Sequence, residues 1–228
     1  MIITAARSGP VLVVAPHPDD EVLGVGGTIA RLTAEGCEVH VCIATRGRTD
    51  RFGQDQIDTV RAEAEAAHDI LGIHETHWLD HPAAALDTEP HGALNRSLAE
   101  LVTRIGARTL FVPHPGDIHL DHQLVFLSAM VAARPAQDIY PTGIYAYETL
   151  SETNWNAPYL TPPFVPNTFV DITETLDTKL TAFSAFASQV RASPAERSID
   201  ALRALATLRG ATVHRHAAEG FVAVRQCC

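Results

Sequence analysis

Positive charge is the first thing this sequence is short of. Seventeen Lys and Arg face 27 Asp and Glu over 228 residues, a formal net charge of -10 with histidine neutral. A partner held through its phosphates needs a basic stripe, and none is visible, so nucleic acid is not expected as a partner. Long apolar runs are missing too. No stretch approaches the roughly 20 residues that cross a bilayer, and the opening MIITAARSGP lacks the apolar centre of a signal peptide. The expectation is a cytoplasmic protein without a membrane partner. Cysteine is sparse: Cys37, Cys42, Cys227 and Cys228 show neither a CxxC pair nor framework spacing, which excludes a disulfide scaffold and fits reduced thiols. The terminal Cys-Cys pair could be read as a lipidation signal, but nothing else supports anchoring, and a frayed tail is expected there. Internal repeats, low-complexity tracts and linkers are also absent.

What is present suits one domain over residues 1–228, with 46% hydrophobic and 19% charged residues, enough apolar surface for a sizeable core. Pro10 to Ala15 reads as a strand buried on both faces, because its Val and Leu run without alternation. A helix follows to Ala34, its Val22, Val25, Ile29 and Leu32 keeping three-and-four spacing, and Gly36 closes it. Further strands are expected at Glu38–Ala44, Thr76–Leu79, Arg108–Pro113, Ile144–Glu148, Thr168–Ile172 and Phe221–Val224. Helices are expected at Arg61–Leu71, Leu94–Ile105, Ile118–Ala133, Thr173–Phe186 and Ala195–Leu208. Residues 149–167, rich in Pro, Asn and Thr, form a long loop of the kind that carries function. Alternating strand and helix predicts an α/β fold: a three-layer, Rossmann-like, mostly parallel sheet with helices on both faces.

Ligands of open parallel sheets bind outside the carboxyl ends of the strands. Four such ends carry unusual loops, APHPDDE, TRGRTD, LDHPAAALD and HPGDIHLDH, which should converge on one crevice. Dinucleotide binding fails there: the glycines fall as GVGG, and the turn offers carboxylates where a pyrophosphate needs bare N–H groups. Carboxylates are what a divalent cation needs. His17 and Asp20 stand three apart across a strand-to-helix turn with Asp19 between them. One imidazole from HLDH would complete two His and one Asp, leaving a coordination position open as in catalytic zinc sites. His119 and His122 are also three apart, so one can bind metal while the other faces substrate.

PHPDDE and HPGDIHLDH together resemble the LmbE-like, GlcNAc-phosphatidylinositol deacetylase-related (PIG-L) superfamily of metal-dependent N-deacetylases. The likeness continues through Arg61 and Glu63, Leu71-Gly72, YAYE at Tyr145 to Glu148, FVPNTFVDIT at Phe164 to Thr173, Lys179, Ser188-Gln189 and AEGF at Ala218 to Phe221. It implies His17, Asp20 and His122 as Zn2+ ligands, with other divalent metals possible. It implies Asp19 as the general base that relays a proton from the attacking water to the leaving amine. Zinc brings such a water from a pKa of 15.7 to about 7, within reach of a carboxylate. His119, held by Asp121, would be the cation that stabilises the oxyanion or assists the leaving group, the Asp121 carboxylate fixing its tautomer. Arg61 and Asp87 match positions that bind sugar hydroxyls. The implied substrate is a small N-acetyl sugar of the N-acetylglucosamine type, and the implied assembly a homo-oligomer, a trimer or hexamer.

Relatives often have an acidic residue in the loop after the second strand, where this chain has Arg48. Arg46, Arg48 and Arg51 could attract an anionic group on the substrate. Trp155 could stack on a sugar face, whereas Trp78 reads as core. Asp117 reads as the N-cap of the following helix, His114 as a residue that positions its loop, and His40, His68, His74, His77, His81 and His91 as structural. His214 and His216 could reach the crevice. Two competing functions are a metal-dependent hydrolase of a phosphoester or another amide or ester, and a non-catalytic metal or sugar-binding module. Retention of Asp19 beside His119 and Asp121 argues against the module, because binding alone needs none of them.

Overall fold

Continuous Val and Leu with no polar face leave Val11–Ala15 (β1) no surface to give to water, and all five residues are buried in the interior of a seven-stranded sheet. The computed structural model describes residues 6, 8–135 and 140–227, so Cys228 of the terminal cysteine pair lies outside the described residues. The elements that follow β1 are α1 (Asp20–Ala34), β2 (Val39–Arg46), α2 (Gln54–Leu71), β3 (Glu75–Pro82), a short 3-10 turn (Leu86–Thr88) and α3 (His91–Ile105). Next come β4 (Thr109–Pro113), α4 (Leu120–Ala132), β5 (Gly143–Tyr147), β6 (Thr168–Asp171), α5 (Leu176–Ala185), α6 (Ile199–Thr212) and β7 (Ala218–Gln226).

The strand order is β3-β2-β1-β4-β5-β7-β6, with β1 to β5 parallel and β7 antiparallel to both its neighbours. Strand alternation sorts the core into two layers. Val11, Val13 and Ala15 pack with α1, α2, α5 and α6, while Leu12 and Val14 pack with α3 and α4. The chain leaves β1 toward β2 and later returns to β4 on β1's other side, so the carboxyl ends of β1 and β4 flank the topological switch point of the sheet. Among the described residues no helix is long and apolar enough to cross a membrane.

The fold follows the expected α/β plan and extends several elements. Helix α2 begins at Gln54, seven residues before the expected Arg61, with Gly53 as its N-cap and Ile57 buried in its first turns. Strand β7 spans nine residues, since it is paired on both sides.

Helix α1 is seated by its glycines. A Cβ on Gly24 would come within 2.2 Å of the Tyr147 ring, whose hydroxyl donates to Val14 O at 2.9 Å. In mid-helix the N–H groups of Gly27 and Thr28 donate to the Glu219 carboxylate at 2.9 and 2.7 Å, and the carbonyl of Leu23 accepts from Lys179 Nζ at 2.8 Å. Lys179, the sole lysine of the sequence, also meets Glu219 at 2.5 Å with both side chains buried. This ion pair fills hydrogen-bonding positions within α1 and ties it to α5 and β7. Lys179→Met would leave Glu219 buried without its cation and is expected to cost about 3–5 kcal/mol. Urea unfolding measures it; a loss under about 1 kcal/mol would contradict this role.

Candidate active site

The PHPDDE turn is tight because its two ends bond each other. His17 N donates to Asp20 Oδ2 at 2.9 Å, and Asp19 takes a left-handed backbone (φ 109°) as the N-cap of α1, a conformation that costs a non-glycine residue energy and is common at functional sites. Its N–H donates to Glu21 Oε2 at 3.1 Å. Glu21 is in turn held by His68 Nε2 at 3.0 Å, and His68 by Thr76 Oγ1 at 2.7 Å. His68 is thus structural as expected, a strut between α2, β3 and the turn.

At the neighbouring strand end, His119 is the N-cap of α4, and the helix turns His122 inward to complete burial. Asp20 Oδ2 lies 3.2 Å from His122 Nε2 and 3.4 Å from His17 Nδ1. The other nitrogen of each ring meets a carboxylate: His17 Nε2 bonds Asp121 Oδ2 at 3.0 Å and His122 Nδ1 bonds Asp117 Oδ2 at 2.9 Å. Each carboxylate fixes a tautomer and leaves the opposite ring nitrogen turned toward Asp20, the arrangement that orients histidines on metals. His122 Nε2 and Asp20 Oδ1 are buried without hydrogen-bond partners. Donor atoms of His17, Asp20 and His122 lie within 4.8 Å of one another. Two imidazoles and one carboxylate with unsatisfied buried atoms fit a divalent cation, since such atoms are costly to leave unpaired.

Electrostatics point the same way. Burial alone would pull His122 down, but Asp20 and Asp117 outweigh it and raise its pKa to about 10; Asp121 and Asp20 likewise raise His17 to about 9 against burial. Burial would push Asp20 up, yet His122 and His17 hold it well below the usual range. The pocket is built for positive charge at its centre, whether carried by protons or by a cation that displaces them. Asp19 differs: burial lifts it to about 8, with Asp20 and Glu21 adding to the rise and Arg197 opposing it. Its Oδ2 accepts from Arg197 Nη1 at 2.6 Å, and its Oδ1 is buried and unpaired.

Two expectations for the second motif are corrected. Asp121 does not hold His119: its carboxylate is occupied by His17 Nε2 and by the N–H groups of Ala84 and Leu86. The tautomer of His119 is fixed by a backbone group, the Asp121 N–H, which donates to His119 Nδ1 at 3.1 Å and leaves Nε2 to carry the proton. Burial, reinforced by His17, lowers the His119 pKa to about 4, which favours the neutral imidazole over the cation. Asp117 is not the N-cap of α4. It is fully buried, aligning His122 through one oxygen and accepting from Thr153 Oγ1 at 2.6 Å through the other. A His and an Asp five residues apart across a helix start gave no periodic signal.

A cleft of about 420 Å³ opens beside these residues, lined by His17, Asp19 and His119 and walled by Phe52, Glu152 and Arg197. Arg197 and Glu152, 3.7 Å apart, were not singled out from the sequence; both come from segments without a motif and reach the site only through the fold. Glu63 has a role that fits its place in the resemblance: it accepts from Ser188 N at 2.8 Å and Ser188 Oγ at 2.6 Å, anchoring the segment that carries Arg197. His114 positions its loop as expected, bonding Pro162 O at 2.9 Å.

The expected substrate residues stand apart from this cleft. Arg61 lies 4.3 Å over the Trp78 ring and 3.7 Å from Asp80, and does not line the cleft. Arg48 pairs with Asp50 at the surface, Asp87 is exposed on the short 3-10 turn, and Trp155 is 59% exposed; none of the three lines the cleft either. His214 and His216 line a separate hollow of about 940 Å³ with Arg31 and Asp171, rather than the crevice.

The comparisons with known proteins agree with this geometry. The family described as GlcNAc-PI de-N-acetylase (PIG-L) matches residues 12–133, a stretch that holds both motifs. A probable N-acetyl-alpha-D-glucosaminyl L-malate deacetylase 2 from Bacillus cereus is 31% identical, with 80% of this chain and 84% of that protein covered. The uncharacterized deacetylase YaiS of Escherichia coli is 28% identical over 76% of this chain and 88% of its own. Among solved structures, the conserved protein TT1542 from Thermus thermophilus superposes with a TM-score of 0.78 at 26% identity, covering 96% of each chain. With the aligned motifs at the switch point of the matching fold, the chain belongs to the PIG-L, or LmbE-like, family.

Proposed function

We propose that this protein is a zinc-dependent hydrolase that removes the acetyl group from a small N-acetylated amino sugar, releasing acetate and a free amine. The observation that carries the reading is the division of labour between two adjacent carboxylates: Asp20 is enclosed by two histidines, while Asp19 faces the cleft with one oxygen unpaired. His17, Asp20 and His122 would hold the metal. When bound, the cation supplies Lewis acidity to the attacking water and the amide carbonyl.

The chain's own groups then act in sequence. Asp19 takes a proton from the attacking water and later passes it to the amide nitrogen as the C–N bond breaks. A raised pKa keeps Asp19 basic enough for the first step and acidic enough for the second. His119 donates through Nε2 to the oxygen that becomes negative in the tetrahedral intermediate, and needs no positive charge to do so. Arg197 holds Asp19 through one oxygen, leaving the other toward the cleft. A volume of about 420 Å³ is in the range of small-molecule sites and suits a sugar of modest size. Deacetylases of N-acetylglucosaminyl conjugates among the relatives support this substrate class.

Mass spectrometry over a panel of N-acetylglucosamine conjugates, with and without chelator, tests the proposal. Loss of the acetyl mass from at least one conjugate, abolished by chelator, is expected; phosphate release from phosphorylated conjugates with no deacetylation would overturn it. A second expectation concerns Asp117. Asp117→Asn would free His122 to adopt the wrong tautomer and should weaken metal affinity by about 10–100-fold. Competition against a chelator of known affinity reads this, and unchanged affinity would remove Asp117 from the metal site.

A further inference from the structure

At one edge of the same sheet, at the amino ends of its strands, sits a second knot of metal-ligating side chains, well away from the PHPDDE turn. His40 lies at the amino end of β2 and Glu75 and His77 at the amino end of β3; Glu75 pairs in register with His40, and His77 with Cys42. Strand alternation therefore turns all three toward the face covered by α3. His40 and His77 are 4% and 7% exposed, whereas the Glu75 side chain reaches solvent. Their donor atoms lie within 4.8 Å of one another. The same is true of His40 with Glu38 and His74, so four further potential ligands surround one buried imidazole.

We propose that this cluster is a second divalent-metal site, for a borderline ion of the zinc class, with His40, Glu75 and His77 as its ligands. The spacing of the two imidazoles is close to what such an ion requires. His40 Nδ1 and His77 Nε2 are 3.1 Å apart, and two nitrogens bound tetrahedrally at 2.0–2.1 Å would be about 3.3–3.4 Å apart. Small rotations of the rings turn the two facing nitrogens onto a shared point. The far nitrogen of His40 already meets Glu38 Oε1 at 2.9 Å, which fixes the tautomer and frees Nδ1, as a carboxylate does behind a metal-bound histidine. Imidazole and carboxylate together suit zinc and its neighbours better than calcium or magnesium.

One charge opposes the ion. Arg104, in the last turn of α3, reaches within 3.4 Å of His77 Nδ1. It is an exposed side chain that can swing aside, and its presence predicts that removing it strengthens binding. The site would clamp β3, the edge strand of the sheet, to β2 and so stabilise the folded chain in proportion to free metal.

The test counts zinc per chain by equilibrium dialysis at low micromolar free Zn2+. The wild type is expected to hold two ions, and His122→Ala and His77→Gln one each. His77→Gln should keep turnover within about twofold of the wild type. Glu75→Gln, at an exposed carboxylate that the fold does not need, should weaken the second ion at least about tenfold, and Arg104→Gln should tighten it. In His122→Ala, added zinc should raise the Tm, and this rise should vanish when His77→Gln is combined with it. A wild-type count of one that falls to zero in His122→Ala would overturn the proposal. So would a second ion that survives both His77→Gln and Glu75→Gln, or one that binds only near about 1 mM. None of these outcomes depends on which substrate the first site takes.

Discussion

Two imidazoles converge on one oxygen of Asp20, and each is held there from behind by its own carboxylate. The site depends on this constraint. His17 is aimed by Asp121 and His122 by Asp117, so four elements must be correct before the centre exists: the turn after β1, the loop after β4, the start of α4, and the loop of residues 149–167 that anchors Asp117 through Thr153. Buried ionisable groups are expensive, and this group is tolerated because every charge faces an opposite one. His122 Nε2 and Asp20 Oδ1 are buried without partners, and a cation there would repay the cost of burying them.

The fold supplies this convergence by topology. Strand order places the ends of β1 and β4 side by side at the switch point, where helices on either side of the sheet diverge and leave a crevice. Helix α1 starts from the PHPDDE turn and must therefore be seated firmly. Gly24 lets Tyr147 approach, and the buried Lys179–Glu219 pair occupies the helix interior near Gly27. The features that set α1 in place are also those the family resemblance picks out, YAYE, Lys179 and AEGF, which explains why the likeness reaches far beyond the two ligand motifs.

Much of this was legible in the sequence, and the remainder was hidden for identifiable reasons. The strand that leads into His17, Asp19 and Asp20 is marked by an unbroken Val and Leu run ending in acids, and the fold brings those residues together with HLDH, as their pattern implies. What local pattern could not show was direction. Asp121 stands two residues from His119, yet its carboxylate is drawn to His17, more than a hundred residues earlier in the chain, while its own N–H serves His119. Asp117 looked like a cap, but the loop tucks it beneath His122. Arg197 lies in an irregular segment before α6, and no periodicity marks a residue whose partner is 178 positions away. His40 and His77 looked isolated because the strand pairing that joins them brings together positions 37 residues apart.

Separation of metal binding from proton transfer, ligand Asp20 beside base Asp19, is the central claim, and one variant tests it most directly. Asp19→Asn preserves size and leaves an oxygen for Arg197, so zinc content and kcat can be measured on the same folded protein. Zinc content equal to that of the wild type, with kcat lower by a factor of about 100 or more, is the predicted result. Turnover within about tenfold of the wild type, or loss of the metal together with activity, would contradict the assignment of Asp19 as the base.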